Sequence, residues 1–137
     1  MALEPPVVRY FLACREIEID PETGDVSLRR LIHVVKPLPR ERLPLLQDQM
    51  VLFGLLSSGR GSHAMTVELT RFDQGEETTL AFPPARSVDL GQDPVAVVGL
   101  PMVLDNVEFE SPGEYSFHLI CDGLRLAMVD ISVREEQ

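Results

Sequence analysis

Tryptophan is absent, tyrosine and cysteine occur twice each, and only 12 of 137 residues are lysine or arginine. Each shortage excludes something. With no tryptophan and two tyrosines, the chain has little from which to build the exposed aromatic platforms that sugar sites use. Against those 12 bases stand 22 acidic residues, and the formal charge of −10 repels phosphate backbones and anionic lipid. Nucleic acid and membrane surfaces are therefore not expected as partners, and a basic partner or a cation is favoured. No apolar run approaches the roughly 20 residues of a spanning helix, and the opening MALEPPVV lacks the basic and apolar regions of a secretory leader. We expect a cytoplasmic protein.

Cys14 and Cys121 each fall inside an apolar strand pattern, with no CxxC neighbour and no His at a paired-ligand spacing. Two buried free thiols would suit a reducing compartment. The alternative is a disulfide from an early to a late strand, because sandwiches bring distant strands together.

What the chain does have is a cadence. Hydrophobic residues make up 45% and charged residues 25%, ordinary for a globular protein, and the length suits one domain over 1–137. No segment holds a 3.6-residue period for three turns. Short alternating or wholly apolar runs recur instead, bounded by Gly, Pro, Asp and Ser, which is the pattern of an all-β sandwich or barrel. The runs predict strands at Val7–Ile19, Val26–Val35, Met50–Ser57, His63–Phe72, Thr78–Phe82, Val95–Phe109 with a break near Pro101, Glu114–Cys121 and Leu124–Val133. That makes about eight strands in an antiparallel sandwich of immunoglobulin-like or C2-like topology. DPETGD (20–25), SSGRGS (57–62) and DQGEE (73–77) read as hairpin turns. Three prolines make 37–48 a crossover loop, and 83–94 reads as a second long loop.

The closing stretch SPGEYSFHLICDGLRLAMVDISV (111–133) is the most legible. Alternation puts Tyr115, Phe117, Leu119 and Cys121 on a core face, and Asp122-Gly123 suits a two-residue type I′ turn. On the return arm Leu124, Leu126 and Met128 share one parity while Val129, Ile131 and Val133 share the other. Either a β-bulge near Met128 shifts the phase, or both faces are covered. A similar slip separates Met65, Val67 and Leu69 from Phe72. MVLFGLL (50–56) is apolar on both parities, so that strand is central and covered or part of an interface.

No catalytic constellation emerges. His33, His63 and His118 have no paired-ligand spacing, and each reads as a strand surface residue, His63 opening its strand in an exposed position. There is no G-x-S-x-G elbow, and neither Cys sits in an electropositive setting, so no catalytic residue, cofactor or metal is expected. GRG (59–61) joins two strands rather than a strand and a helix, which argues against a phosphate cradle and leaves Arg60 as an exposed anchor for a partner. The acidic turn Asp20, Glu22, Asp25 is the best calcium candidate but lacks the dense spacing of a dedicated loop.

RYFLACREIEIDPETGDVSL near the start and DNVEFESPGEYSFHLICDGLRLAMVDISV at the end together resemble a family of small, functionally uncharacterised bacterial proteins. Those open with an apolar strand bearing a Cys or a small residue, and close with Pro-Gly before an aromatic and an Asp-Gly hairpin. The closing pattern is also similar to immunoglobulin-like sandwiches, where Pro-Gly-x-Tyr introduces a late strand. The resemblance implies a β-sandwich and supplies no enzymatic residue. The expected function is a non-catalytic interaction module that binds another protein or itself as a homodimer, with Met50, Leu52, Leu124, Leu126, Met128 and Arg60 as candidate interface residues. The alternative is a sandwich that binds a small molecule, carbohydrate or calcium through its loops.

Overall fold

Short apolar runs separated by turn residues satisfy their backbone groups by pairing with one another and hide their side chains by stacking the resulting sheets. A computed structural model describes residues 4–36, 45–73, 75–81, 84–93 and 95–134. Among them are ten strands and no helix: β1 (Val7–Ile19), β2 (Val26–Leu31), β3 (Val34–Val35), β4 (Leu45–Ser57), β5 (Ser62–Asp73), β6 (Glu76–Ala81), β7 (Arg86–Asp89), β8 (Val97–Phe109), β9 (Gly113–Cys121) and β10 (Leu124–Val133). The first sheet has the order β2-β1-β4-β8; the second runs β3-β10-β9-β5-β6, with β7 also paired to β5. Every pairing is antiparallel except β3 with β10. The expected all-β sandwich is the fold, with ten strands in place of eight.

The differences have local causes. Val26–Val35 divides because Arg30 takes a positive φ of 59° and the chain changes sheets: Ile32 N still donates to Ala13 O, but His33 O already accepts from Ser132 N. Strand β4 begins at Leu45, inside the segment expected as a crossover loop, of which 37–44 lie outside the described residues. Strand β7 occupies part of the second expected loop. Pro101 does not break β8, because β8 is a sheet edge where a missing N–H costs no ladder bond. Its carbonyl accepts from Arg86 Nη2 at 2.8 Å. SSGRGS is not a hairpin, since β4 and β5 belong to different sheets. A Cβ on Gly59 would stand 2.5 Å from Leu90 Cδ1 and 3.1 Å from Pro6 Cα, so this crossing needs glycine for close approach.

The shared core takes Phe11 and Ala13 from β1, Met50, Leu52 and Leu56 from β4, Met65, Val67 and Leu69 from β5, and Tyr115, Phe117, Leu119 and Cys121 from β9. The last four are the face expected from alternation. Met50 and Leu52 are fully buried, so the expectation that they form an interface is corrected: a central strand of a sandwich hides that parity between the sheets. Tyr115 donates its hydroxyl proton to Ser111 O at 2.7 Å and packs edge-on against Phe109. A Tyr hydroxyl returned to backbone a few residues upstream is also what the tyrosine corner of immunoglobulin-like sandwiches does, and here it pins the entry to β9.

The β9–β10 hairpin turns on Asp122 and Gly123, with φ of 51° and 85° as a type I′ turn needs. The return arm does carry a bulge: Arg125 pairs with Ile120 but Ala127 with Leu119, so Leu126 is the extra residue. After it Ile131 and Val133 reach the core and Met128 stays exposed. Near Phe72 the β5–β9 register runs unbroken; the shift lies in the β5–β6 ladder, and Phe72 is 63% exposed on the outer side.

Candidate functional site

Strand β1 is apolar on both parities from Tyr10 to Cys14, as β4 is from Met50 to Leu56, and in a two-layer fold only one parity can face the core. The other parity covers the outside of the first sheet. Register aligns Leu31, Cys14, Val51 and Val103 across all four strands, then Leu12, Phe53 and Pro101, then Tyr10, Leu55 and Gly99. Cys14, Val51 and Phe53 are buried by their neighbours yet stand outside the core shared by the sheets. Around them Tyr10 (62%), Leu31 (54%) and Val103 (51%) remain exposed. Polar groups ring the face: Arg9, whose Nε donates to Ser57 Oγ at 2.8 Å, at one end, and Glu16, Asp105 and the Arg29–Glu18 ion pair toward the other.

The outside of the second sheet is mainly polar, with Phe72 and Met128 as its exposed apolar side chains. Arg125 bridges Glu68 and Glu77, Ser116 Oγ donates to Asp130 Oδ1 at 2.6 Å, and Ser132 Oγ donates to Glu114 Oε1 at 2.8 Å. His118 lies here, opposite the core as expected, but it is buried rather than exposed, with Nε2 2.9 Å from Thr70 Oγ1. Burial, helped by the Arg125 charge, holds its pKa below the ordinary histidine value. Polar side chains on this face satisfy one another.

At the end of the second sheet the hairpin turn meets the start of β5. His63, expected on the surface, is 3% exposed. Its Nδ1 lies 2.7 Å from Asp122 Oδ2 and its Nε2 2.7 Å from the Arg60 carbonyl oxygen. Both neighbours are acceptors, so the ring fits here with a proton on each nitrogen. The hydrogen bond that His63 donates to Asp122 raises the His63 pKa against the burial that lowers it, and the same bond, with Ala64 N donating to Oδ1 at 2.9 Å, lowers that of Asp122. Cys121 adjoins them, its Sγ 3.9 Å from Asp122 Oδ2, and burial reinforced by that carboxylate pushes its thiol up to about 11. The three side chains form the one group of metal-ligand type among the described residues. As a nucleophile the arrangement is wrong: the carboxylate, not the imidazole, stands between, and the thiol is held protonated.

Other expected positions resolve simply. Leu124 and Met128 are exposed, Leu126 packs against the core, and Arg60 is half-buried with its backbone bridged to Glu4. Asp20 Oδ1 accepts from the backbone N–H of Glu22 and Thr23, so that carboxylate is spent on its own turn. Cys14 and Cys121 are free thiols on opposite faces of different sheets. A cleft of about 140 Å³ between β5, β7 and β8, with Met65, Met102 and Arg86 in its lining, is small beside the roughly 300–1,000 Å³ of sites for drug-sized ligands. Sequence reasoning missed the outer face of the first sheet. The signal was present in YFLAC (10–14), apolar on both parities like MVLFGLL.

These features define a two-sheet β-sandwich with one apolar and one mainly polar outer face. The chain belongs to the family of unknown function DUF6941, whose model matches residues 10–134. Among solved structures, Pseudomonas fluorescens alkylpurine DNA glycosylase AlkC, bound to DNA containing an abasic site analog, is similar with a TM-score of 0.43 and 14% identity, over 74% of this chain and 27% of that one. The chain thus spans about a quarter of that protein's length. None of the curated proteins compared matches it. No helix among the described residues is long and apolar enough to cross a membrane.

Proposed function

We propose that the protein is a non-catalytic interaction module whose docking surface is the outer face of the first sheet, with a second copy of the chain as the occupant. The observation that supports this reading is the contrast between the two outer faces. One closes its polar groups on themselves; the other lays apolar side chains across four strands. With strands about 4.8 Å apart and rows about 6.7 Å apart, the apolar part covers on the order of 350 Å². A stable interface takes about 800 Å² per partner, so the polar rim has to join an apolar centre, which is the usual anatomy of an interface. A two-fold axis lying across β1 near Ala13 would bring Arg9 of each copy toward Glu16 of the other. Opposite charges then meet at both ends.

Light scattering on the pure protein at micromolar concentration tests this. The expected mass is twice 15.3 kDa, reduced to the monomer by Leu31→Glu or Val103→Glu, which change exposed positions and should leave the circular dichroism intact. Met128→Glu, on the other sheet, is expected to leave the dimer in place. A strict monomer, or a dimer indifferent to both face substitutions, overturns the reading.

A further inference from the structure

The geometry points to a zinc-type metal site formed by Cys121 Sγ, His63 Nδ1 and Asp122 Oδ2 at the end of the second sheet, independent of the docking face. The three donor atoms lie within 4.8 Å of one another, with Nδ1 and Oδ2 2.7 Å apart and Sγ and Oδ2 3.9 Å apart. Donors on one tetrahedral zinc, at about 2.0–2.3 Å from the metal, stand roughly 3.3–3.8 Å apart. The carboxylate therefore has to withdraw from the imidazole by less than about 1 Å, and the thiol, which lies within 4.8 Å of the other two donors, has to close on them by up to about 1 Å. Asp122 is free to withdraw, since it sits in an exposed two-residue turn with its side chain 51% accessible.

The groups behind the donors are those a metal ligand requires. A coordinating imidazole ordinarily gives its other N–H to a carbonyl or carboxylate, which fixes the ring, and ligating carboxylates are themselves hydrogen-bonded. His63 Nε2–H donates to Arg60 O, and Ala64 N–H donates to Asp122 Oδ1. Two positions are thus held by backbone from β5 and its approach, while Asp122 N donates to Ala64 O and ties the turn to the same strand. Thiolate, imidazole and carboxylate together select zinc over magnesium or calcium, which take oxygen alone.

Charge also balances. Metal-free, the cluster holds imidazolium, thiol and carboxylate and is neutral. Binding one divalent cation breaks the Nδ1–H and Sγ–H bonds and releases two protons to water, leaving thiolate, neutral imidazole and carboxylate around the ion. That assembly is neutral too, so no extra charge is buried. Three protein donors leave a fourth place for a water, and Asp122, with its side chain 51% accessible, is the solvent-facing member of the set.

Titration of the chelator-treated full chain with cobalt(II), a coloured stand-in for zinc, tests the site. One equivalent is expected to give a thiolate-to-cobalt band in the ultraviolet with tetrahedral bands in the visible, bleached by one equivalent of zinc. Cys121→Ser should lose the ultraviolet band, His63→Gln should weaken binding at least about 10-fold, and Cys14→Ser should change neither. Absence of these bands in the wild-type protein overturns the proposal whether or not the variants fold. So does an ultraviolet band that survives Cys121→Ser.

Discussion

His63 and His118 are both buried in the second sheet, yet their surroundings drive them in opposite directions. The carboxylate facing His63 outweighs burial and raises its pKa above the ordinary histidine value; burial dominates at His118 and lowers it. Stability follows from the sign of each shift. The His63–Asp122 pair stabilises fully below the ordinary histidine pKa and loses its contribution as pH rises through the raised folded value. His118 works the other way: below the ordinary value the unfolded chain takes up a proton that the folded chain resists, so stability declines there. Melting temperature measured against pH with chelator present should show both limbs. Asp122→Asn, which can still adopt the positive φ of the turn, is expected to lower the melting temperature and flatten the neutral-to-alkaline limb. His118→Gln should flatten the acid limb only; if each variant altered both limbs equally, neither histidine would be the source. None of this was readable from the spacing of the histidines, because burial and partners come from strands that meet only in the folded state.

At the scale of elements, the crossing between β4 and β5 shows how tightly the two sheets are joined. Gly59 passes against Pro6 and Leu90, so Gly59→Ala forces the Leu90 side chain aside and meets Pro6 backbone, which has little freedom to move. We expect a loss of about 1–3 kcal/mol, measurable by urea unfolding, whereas Gly75→Ala meets nothing within 4 Å. Gly75 has a φ of 81°, so its cost is that of the backbone alone. Much of this level was legible beforehand. Strand β1, the Asp-Gly turn and the shift in the return arm all follow from period-2 alternation and from which residues tolerate positive φ. Local patterning did not reveal that SSGRGS changes sheets, that β2 and β3 part at Arg30, or that Pro101 is harmless on an edge. Each depends on which strand lies alongside.

For the whole molecule the formal charge of −10 and the apolar face act against each other. Two copies brought together repel at long range, while the contact itself is apolar and insensitive to salt. Raising ionic strength shortens the Debye length from about 10 Å at 0.1 M to about 3 Å at 1 M. Dimerisation is therefore expected to strengthen with salt, seen by sedimentation as a lower dissociation constant. Weakening with salt would mean that the end-to-end pairing of Arg9 with Glu16 governs association, and that the apolar centre contributes little.

By itself the sequence determined the class of fold, most of the strands, the core face of β9 and the turn at Asp122 and Gly123. These depend on neighbours a few residues apart, through alternation, branched side chains and the φ that each residue permits. Only the tertiary structure decided which parity of a doubly apolar strand is interior. It buried Met50 and Leu52, turned Val51 and Phe53 outward, and drew Tyr10, Leu31 and Val103 from three strands into one face. It also brought His63 to Asp122 across 59 positions of sequence. Alternation says that two faces exist, and only the stacking of one sheet on the other says which of them meets water.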